Sequence, residues 1–266
     1  MSGLTLTAGL SFSGGFTFTE APVAAAWFGG GGPGSYSRVD RITYATDTAT
    51  ASVRGPLSAG RYLLAAAGND TDGWFGGGLI WPYPQSTVDR ITYATDTATA
   101  SVRGPLSAVR YRLAATGNTT NRWFGGGQDN GVTKSTVDRI TYATDTATAS
   151  VRGPLSLARQ YLAAVGNSDY GWFGGGFPNF STVDRITYAT DTATASVRGP
   201  LSGGRYKLAA AGNTTDGWFG GGQVSGLGDA VSTVDRITYA TDTATASVRG
   251  PLSLARNSLA AAGGTQ

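Results

Sequence analysis

The string VDRITYATDTATASVRGPLS occurs five times without a change, starting at Val39, Val88, Val137, Val183 and Val234. A chain that copies itself at a spacing of about 50 residues folds as an array of like units, each burying a face against the next. Whatever is individual to this protein therefore lies where the copies differ.

One unit, read from Arg61 to Ser107, divides into four strand-like runs. RYLLAAAG, from Arg61 to Gly68, ends in the turn-forming string Asn69-Asp70-Thr71-Asp72-Gly73. Trp74-Phe75-Gly76-Gly77-Gly78 follows and leads into a loop of variable length. The third run spans about Val88 to Thr95 and the fourth about Ala98 to Gly104, with Asp96-Thr97 as the turn between them. Four strands per unit make a propeller blade. Alternation in the third run puts Val88, Arg90 and Thr92 on one face and Asp89, Ile91 and Tyr93 on the other, so both faces carry bulk, as a sheet held between two sheets requires. With 41 Gly among 266 residues and 40% apolar residues, the chain has material for a large core and little for long helices. The sequence predicts an all-β, five-bladed β-propeller over residues 23–266.

The two ends of the repeat fit each other. The chain enters at the second strand, Trp27-Phe28-Gly29-Gly30-Gly31, and stops after one more first strand, Arg256 to Gly263. Five four-stranded blades result if this last RNSLAAAG joins the sheet begun at Trp27, which also removes two sheet edges.

The order of a small-residue strand, an aromatic-Gly-Gly strand, a variable loop, VDRITYATD and then PLS-x-x-R resembles the kelch repeat. The resemblance covers residues 27–263 and rests on Gly76, Gly77, Tyr93 and Arg110 with their equivalents. It departs from kelch units at Ala98 and Ala100, where those carry a Trp, and in having five blades rather than six or seven. The glycine-rich amino terminus together with WFGGG and STVDRITYATDTATASVRGPLS units is similar to kelch-type virion proteins of marine tailed phages, cyanophages especially. This implies a capsid decoration or tail-fibre component. Near-identical units also suit an engineered repeat protein, but the irregular loops and separate amino-terminal arm argue against design.

Residues 1–22 form that arm, a finer repeat of SGLTLT, AGLSFS and GGFTFT. Leu4, Leu10 and Phe16 are equivalent, as are Leu6, Phe12 and Phe18, and the alternation gives short strands with one apolar face. Fragments of this size do not bury such a face alone. The expectation is a docking or oligomerisation element that engages other virion proteins or copies of itself.

Several chemistries are excluded by composition. Without Cys or His there is no disulfide, no thiolate or imidazole metal site and no Ser-His-Asp triad. Glu20 is the only Glu, and the Asp residues at positions such as 89 and 96 recur in every copy. A glycosidase on this scaffold needs two carboxylates in unlike environments, so copied aspartates read as turn or ladder elements. Asp40 and Arg41, with their equivalents, read as inter-blade partners. The recurring Trp27, Trp74, Trp123, Trp172 and Trp218 read as fillers between blades rather than sugar platforms. The net charge of +3 comes from arginines at fixed places in each copy, not from a stripe that would track nucleic acid. No signal peptide or membrane-length apolar run is present, so the expectation is synthesis in a host cytoplasm and residence on the virion, without cofactor or catalytic residue.

The variable loops between second and third strands remain: GPGSYS, LIWPYPQ, QDNGVTK, FPNF and QVSGLGDAV. Strand alternation sends them to the same face as the blade-to-blade links. Ile80, Trp81, Tyr83, Gln128, Asp129, Lys134, Phe177, Phe180, Gln223 and Asp229 are the expected contact residues, for a neighbouring virion protein or for a host-surface glycan or protein.

Overall fold

The structure is a computed structural model that describes residues 24–32, 34–224 and 229–261. It is an all-β propeller of five antiparallel sheets in chain order. Blade 1 contains Ala25–Gly29, Val39–Thr43 and Ser52–Arg54. Blade 2 contains Ala65–Gly68, Asp72–Gly76, Val88–Thr92 and Ser101–Arg103, and blades 3, 4 and 5 repeat that four-stranded order. The first strands of blades 2 to 5 touch one another in sequence around the axis, where Ala and Gly allow close approach.

Three strands are shorter than their sequence suggests. The first begins at Ala65 rather than Arg61, because Arg61 turns into the blade and Leu63 adopts a positive φ of 56°. The third ends at Thr92, and Tyr93–Thr95 forms a 3-10 turn. That turn swings the Tyr93 ring onto Trp27 of the preceding blade, at a centroid distance of 3.8 Å. The fourth keeps only Ser101–Arg103.

The apolar core is divided among four clusters, each lying between neighbouring blades. Period two explains this. Trp74 pairs with Arg90 and Phe75 with Asp89 across the second and third strands, so Trp74, Val88 and Arg90 face blade 3 while Phe75 and Ile91 face blade 1. The blade 2 to blade 3 seam shows the recurring parts. Trp74 stacks on Tyr142 at 4.0 Å, and its Nε1 donates to Asp145 at 3.1 Å. Arg90 Nη1 donates to the same carboxylate oxygen at 3.0 Å, with Arg103 Nε 3.5 Å away. Gly76 lies under the Phe124 ring, so close that a Cβ there would meet it at 2.6 Å. The Gly104 amide donates to Asp145 O and the Ala149 amide to Pro105 O, each at 2.8 Å. Trp27, Trp123 and Trp172 make the equivalent hydrogen bonds to Asp96, Asp191 and Asp242. The repeated Trp and Arg41 thus lie between blades as expected, with Asp96, expected as a turn element, as their shared acceptor; Asp40, expected between blades, instead pairs with Arg38, and its equivalent Asp89 with Arg61, each within its own blade.

The outer faces of blades 1 and 5 carry the two halves of the same seam. Phe28 and Tyr44 are 44% and 48% exposed, and Asp47 is exposed. Trp218 is half-buried, and among the described residues nothing but blade 5 itself lies within 4 Å of a Cβ at Gly220 or Gly250. The strand expected to close the ring falls partly on residues 262–266, outside the described residues. Ala260 and Ala261 are described and stand outside any strand, so the first sheet has three strands among the described residues. The whole arm, with Leu4, Leu6, Leu10, Phe12, Phe16 and Phe18, also lies outside them.

Candidate functional site

Behind the variable face, blades 2 to 5 are each fastened by a buried ion pair. Arg110 Nη2 lies 2.7 Å from Asp138 Oδ2, and both side chains are fully buried. The same guanidinium donates to the carbonyls of Gly126 at 2.7 Å and Thr136 at 2.9 Å, while Asp138 also accepts from the Ser107 amide at 3.0 Å. Arg61–Asp89, Arg159–Asp184 and Arg205–Asp235 repeat the pair. Burial pushes Arg110 and Arg159 below the ordinary arginine range, and Asp138 and Asp184 oppose that shift. The pair fixes where the preceding link enters the blade. The kelch-type Arg after the link is thus a framework residue.

The links and the variable loops meet on one face, as their alternation implied. Tyr62 bridges to Leu79, Tyr111 to Gln128, Gln160 to Phe177 and Tyr206 to Gln223. Two loops form small hairpins, Leu79–Ile80 with Tyr83–Pro84 and Gln128–Asp129 with Val132–Thr133. The first carries Trp81 and Tyr83, 76% and 70% exposed, at its tip. Phe177 is exposed as well, and Asp229 lies on the surface. Ile80, Asp129, Lys134 and Phe180 are half-buried. Gln128 and Gln223 are buried, contrary to an expectation of surface contact, because their backbones pair with the links and draw the side chains inward.

Those two glutamines belong to a group that the sequence reading passed over. The second residue after each copied Arg, buried at 61, 110, 159 and 205 and exposed at 256, is Leu63, Arg112, Tyr161, Lys207 or Ser258, all with φ between 55° and 61°. Non-glycine residues adopt this region at a cost and hold it only where the surroundings impose it. Here a chain of backbone hydrogen bonds does so. Arg112 N donates to Leu63 O, Tyr161 N to Arg112 O, Lys207 N to Tyr161 O and Ser258 N to Lys207 O, at 2.8 to 2.9 Å. Leu63, Arg112, Tyr161 and Lys207 stand two residues before the innermost strands of blades 2 to 5, so they line the mouth of the axis on the variable face.

Their side chains form an alternating belt. Arg112 Cζ lies 4.7 Å from the Tyr111 ring centroid and 4.5 Å from that of Tyr161. Lys207 Nζ lies 5.3 Å from the Tyr161 centroid and 5.5 Å from that of Tyr206. Phe177 meets Tyr206 edge to face at 5.2 Å, joining a variable loop to the belt. Arg112 Nη1 donates to Gln128 Oε1 at 2.7 Å and Gln160 Oε1 at 3.0 Å, and Lys207 Nζ to Gln223 Oε1 at 3.3 Å. Burial pushes the Tyr161 hydroxyl up, while Arg112 pulls it down. The signal in the sequence was the pair of positions after each copied Arg. They read Tyr-Leu, Tyr-Arg, Gln-Tyr, Tyr-Lys and Asn-Ser, a change of chemistry inside copied flanks.

No protein-family pattern matches the chain, and no curated protein matches it in sequence. Among solved structures it is similar to that reported as "Structure of YjhT", with a TM-score of 0.73 and 11% sequence identity over 90% of this chain and 84% of that one. At this identity the likeness shows the propeller fold alone.

Proposed function

We propose that the chain is a non-enzymatic interaction protein, a rigid five-bladed disc that presents one individual face to a partner. The observation that carries this reading is the division of the molecule. Seams and buried ion pairs are copied from blade to blade, whereas variable loops, links and the axial mouth all gather on one side. Recognition on a rigid scaffold concentrates in such loops. The exposed Trp81 and Tyr83 supply the aromatic anchors that dominate contact surfaces.

The repeat's resemblance to virion proteins of marine phages supports placing the disc, on this proposal, in a capsid decoration or tail fibre held by the amino-terminal arm. A second reading, a receptor-binding adhesin for host-surface carbohydrate, is favoured by the tyrosines of the axial belt. The test is a pull-down of purified virion proteins and of host cells by the chain, with Trp81→Ala/Tyr83→Ala as the control. Capture of either that the double variant loses by at least about tenfold is expected. Capture that the variant leaves unchanged would remove the loop face from the contact.

A further inference from the structure

We propose that the axial mouth is a binding site for an acidic glycan, with the ligand's carboxylate or sulfate on Arg112 and Lys207 and a sugar ring against Tyr161. The proposal rests on the recognition reading above and names the ligand class.

The first support is electrostatic. The seam arginines Arg41, Arg90, Arg139 and Arg185 and the buried arginines Arg61, Arg110, Arg159 and Arg205 each lie on an aspartate. Arg112 and Lys207 do not. Among the described residues no carboxylate comes within ion-pair distance of either, and their polar partners are the neutral oxygens of Gln128, Gln160 and Gln223. Arg112 Nε is buried without a hydrogen-bond partner. Two cations thus share the Tyr161 ring, an arrangement whose mutual repulsion an anion would offset.

The second support is shape and position. Tyr111, Tyr161 and Tyr206 alternate with the cations, offering flat apolar faces beside charge, which suits a ring carrying an acid group. The glutamines add amides fixed by burial. The positive-φ backbone that aims these side chains is imposed in every blade, yet only blades 3 to 5 place Arg, Tyr and Lys on it. The belt is therefore built by substitution at an otherwise constant position, as specificity on a repeat scaffold requires.

The probes are a hexamer of galacturonate, a sulfated hexasaccharide, neutral maltohexaose and a poly-glutamate peptide, titrated calorimetrically against the whole chain. Binding of at least one acidic sugar is expected, weakened by added salt, with no detectable binding of maltohexaose. Arg112→Gln/Lys207→Gln is expected to weaken it at least about tenfold while lowering the melting temperature by no more than about 4 °C, since the two side chains cross between blades only through glutamine oxygens and the Tyr161 ring and touch none of the Trp–Asp clusters of the seams. Failure of both acidic sugars to bind, or equal binding by the double variant, would overturn the proposal. Poly-glutamate binding as tight as the sugars would replace the glycan with an acidic peptide. Pull-downs that depend on Trp81 and Tyr83 but ignore Arg112 and Lys207 would keep the interaction face and dismiss the axial site.

Discussion

Asp138→Ala is expected to lower the unfolding free energy by about 3–5 kcal/mol, because it leaves the Arg110 guanidinium buried without its counter-charge. Carbonyls of Gly126 and Thr136 remain as acceptors, but they do not neutralise it. The loss reflects an uncompensated charge rather than the intrinsic worth of the pair, since desolvating both ions offsets most of their attraction. Hence Arg110→Met/Asp138→Leu, which removes both charges, is expected to recover most of the loss. Urea denaturation of the two variants beside the parent reads both numbers. A neutral Asp138→Ala would show that the pair does not hold the link.

Gly104→Ala is expected to cost about 3 kcal/mol or more for a steric reason. A Cβ there would stand 1.8 Å from Ala147 O and 2.3 Å from Ala147 C, backbone atoms of the next blade. Neither can retreat cheaply, because the Gly104 amide is bound to Asp145 O and Ala149 N to Pro105 O. The blades must separate, and the Trp74–Tyr142 stack and the Asp145 cluster open with them. Thermal melting of the variant checks this, and an unchanged melting temperature would mean that the seam is looser than its hydrogen bonds indicate.

Much of the fold was legible because identical sequence imposes identical environments. An Asp copied in every blade has equivalent surroundings in four of them, Asp40 and Asp47 of blade 1 being the exceptions among the described residues, so Asp89 and Asp96 read as framework, and each has a framework partner, Arg61 and Trp27. The Asn69 turn was likewise visible, its side chain accepting from the Thr71 and Asp72 amides. Strand ends were less legible, since they depend on neighbours from another blade. Tyr93 alternates as a strand residue, but its ring finds Trp27 only by leaving the sheet. Burial also pushes its hydroxyl up to about 12.

At the site, the exposed Trp81, Tyr83 and Phe177 were recognisable as large apolar residues in uncopied loops. Arg112, Tyr161 and Lys207 were not, because they sit inside what reads as a strand. Only the positive φ at those positions turns them toward the axis.

The central claim is that five copies of one seam close five blades into a ring. Among the described residues four seams are formed, and the residues of the fifth stand on blades 1 and 5. Asp47 is equivalent to Asp145, and Trp218, Arg236 and Arg249 are equivalent to its donors Trp74, Arg90 and Arg103. The most direct measurement is urea denaturation of Asp47→Ala beside Asp145→Ala, each at two protein concentrations. Asp145→Ala strands a buried indole N–H and is expected to cost about 2–3 kcal/mol. Closure predicts a loss of the same size for Asp47→Ala, independent of concentration. A stability for Asp47→Ala equal to that of the parent would contradict it and leave the five blades as an open arc.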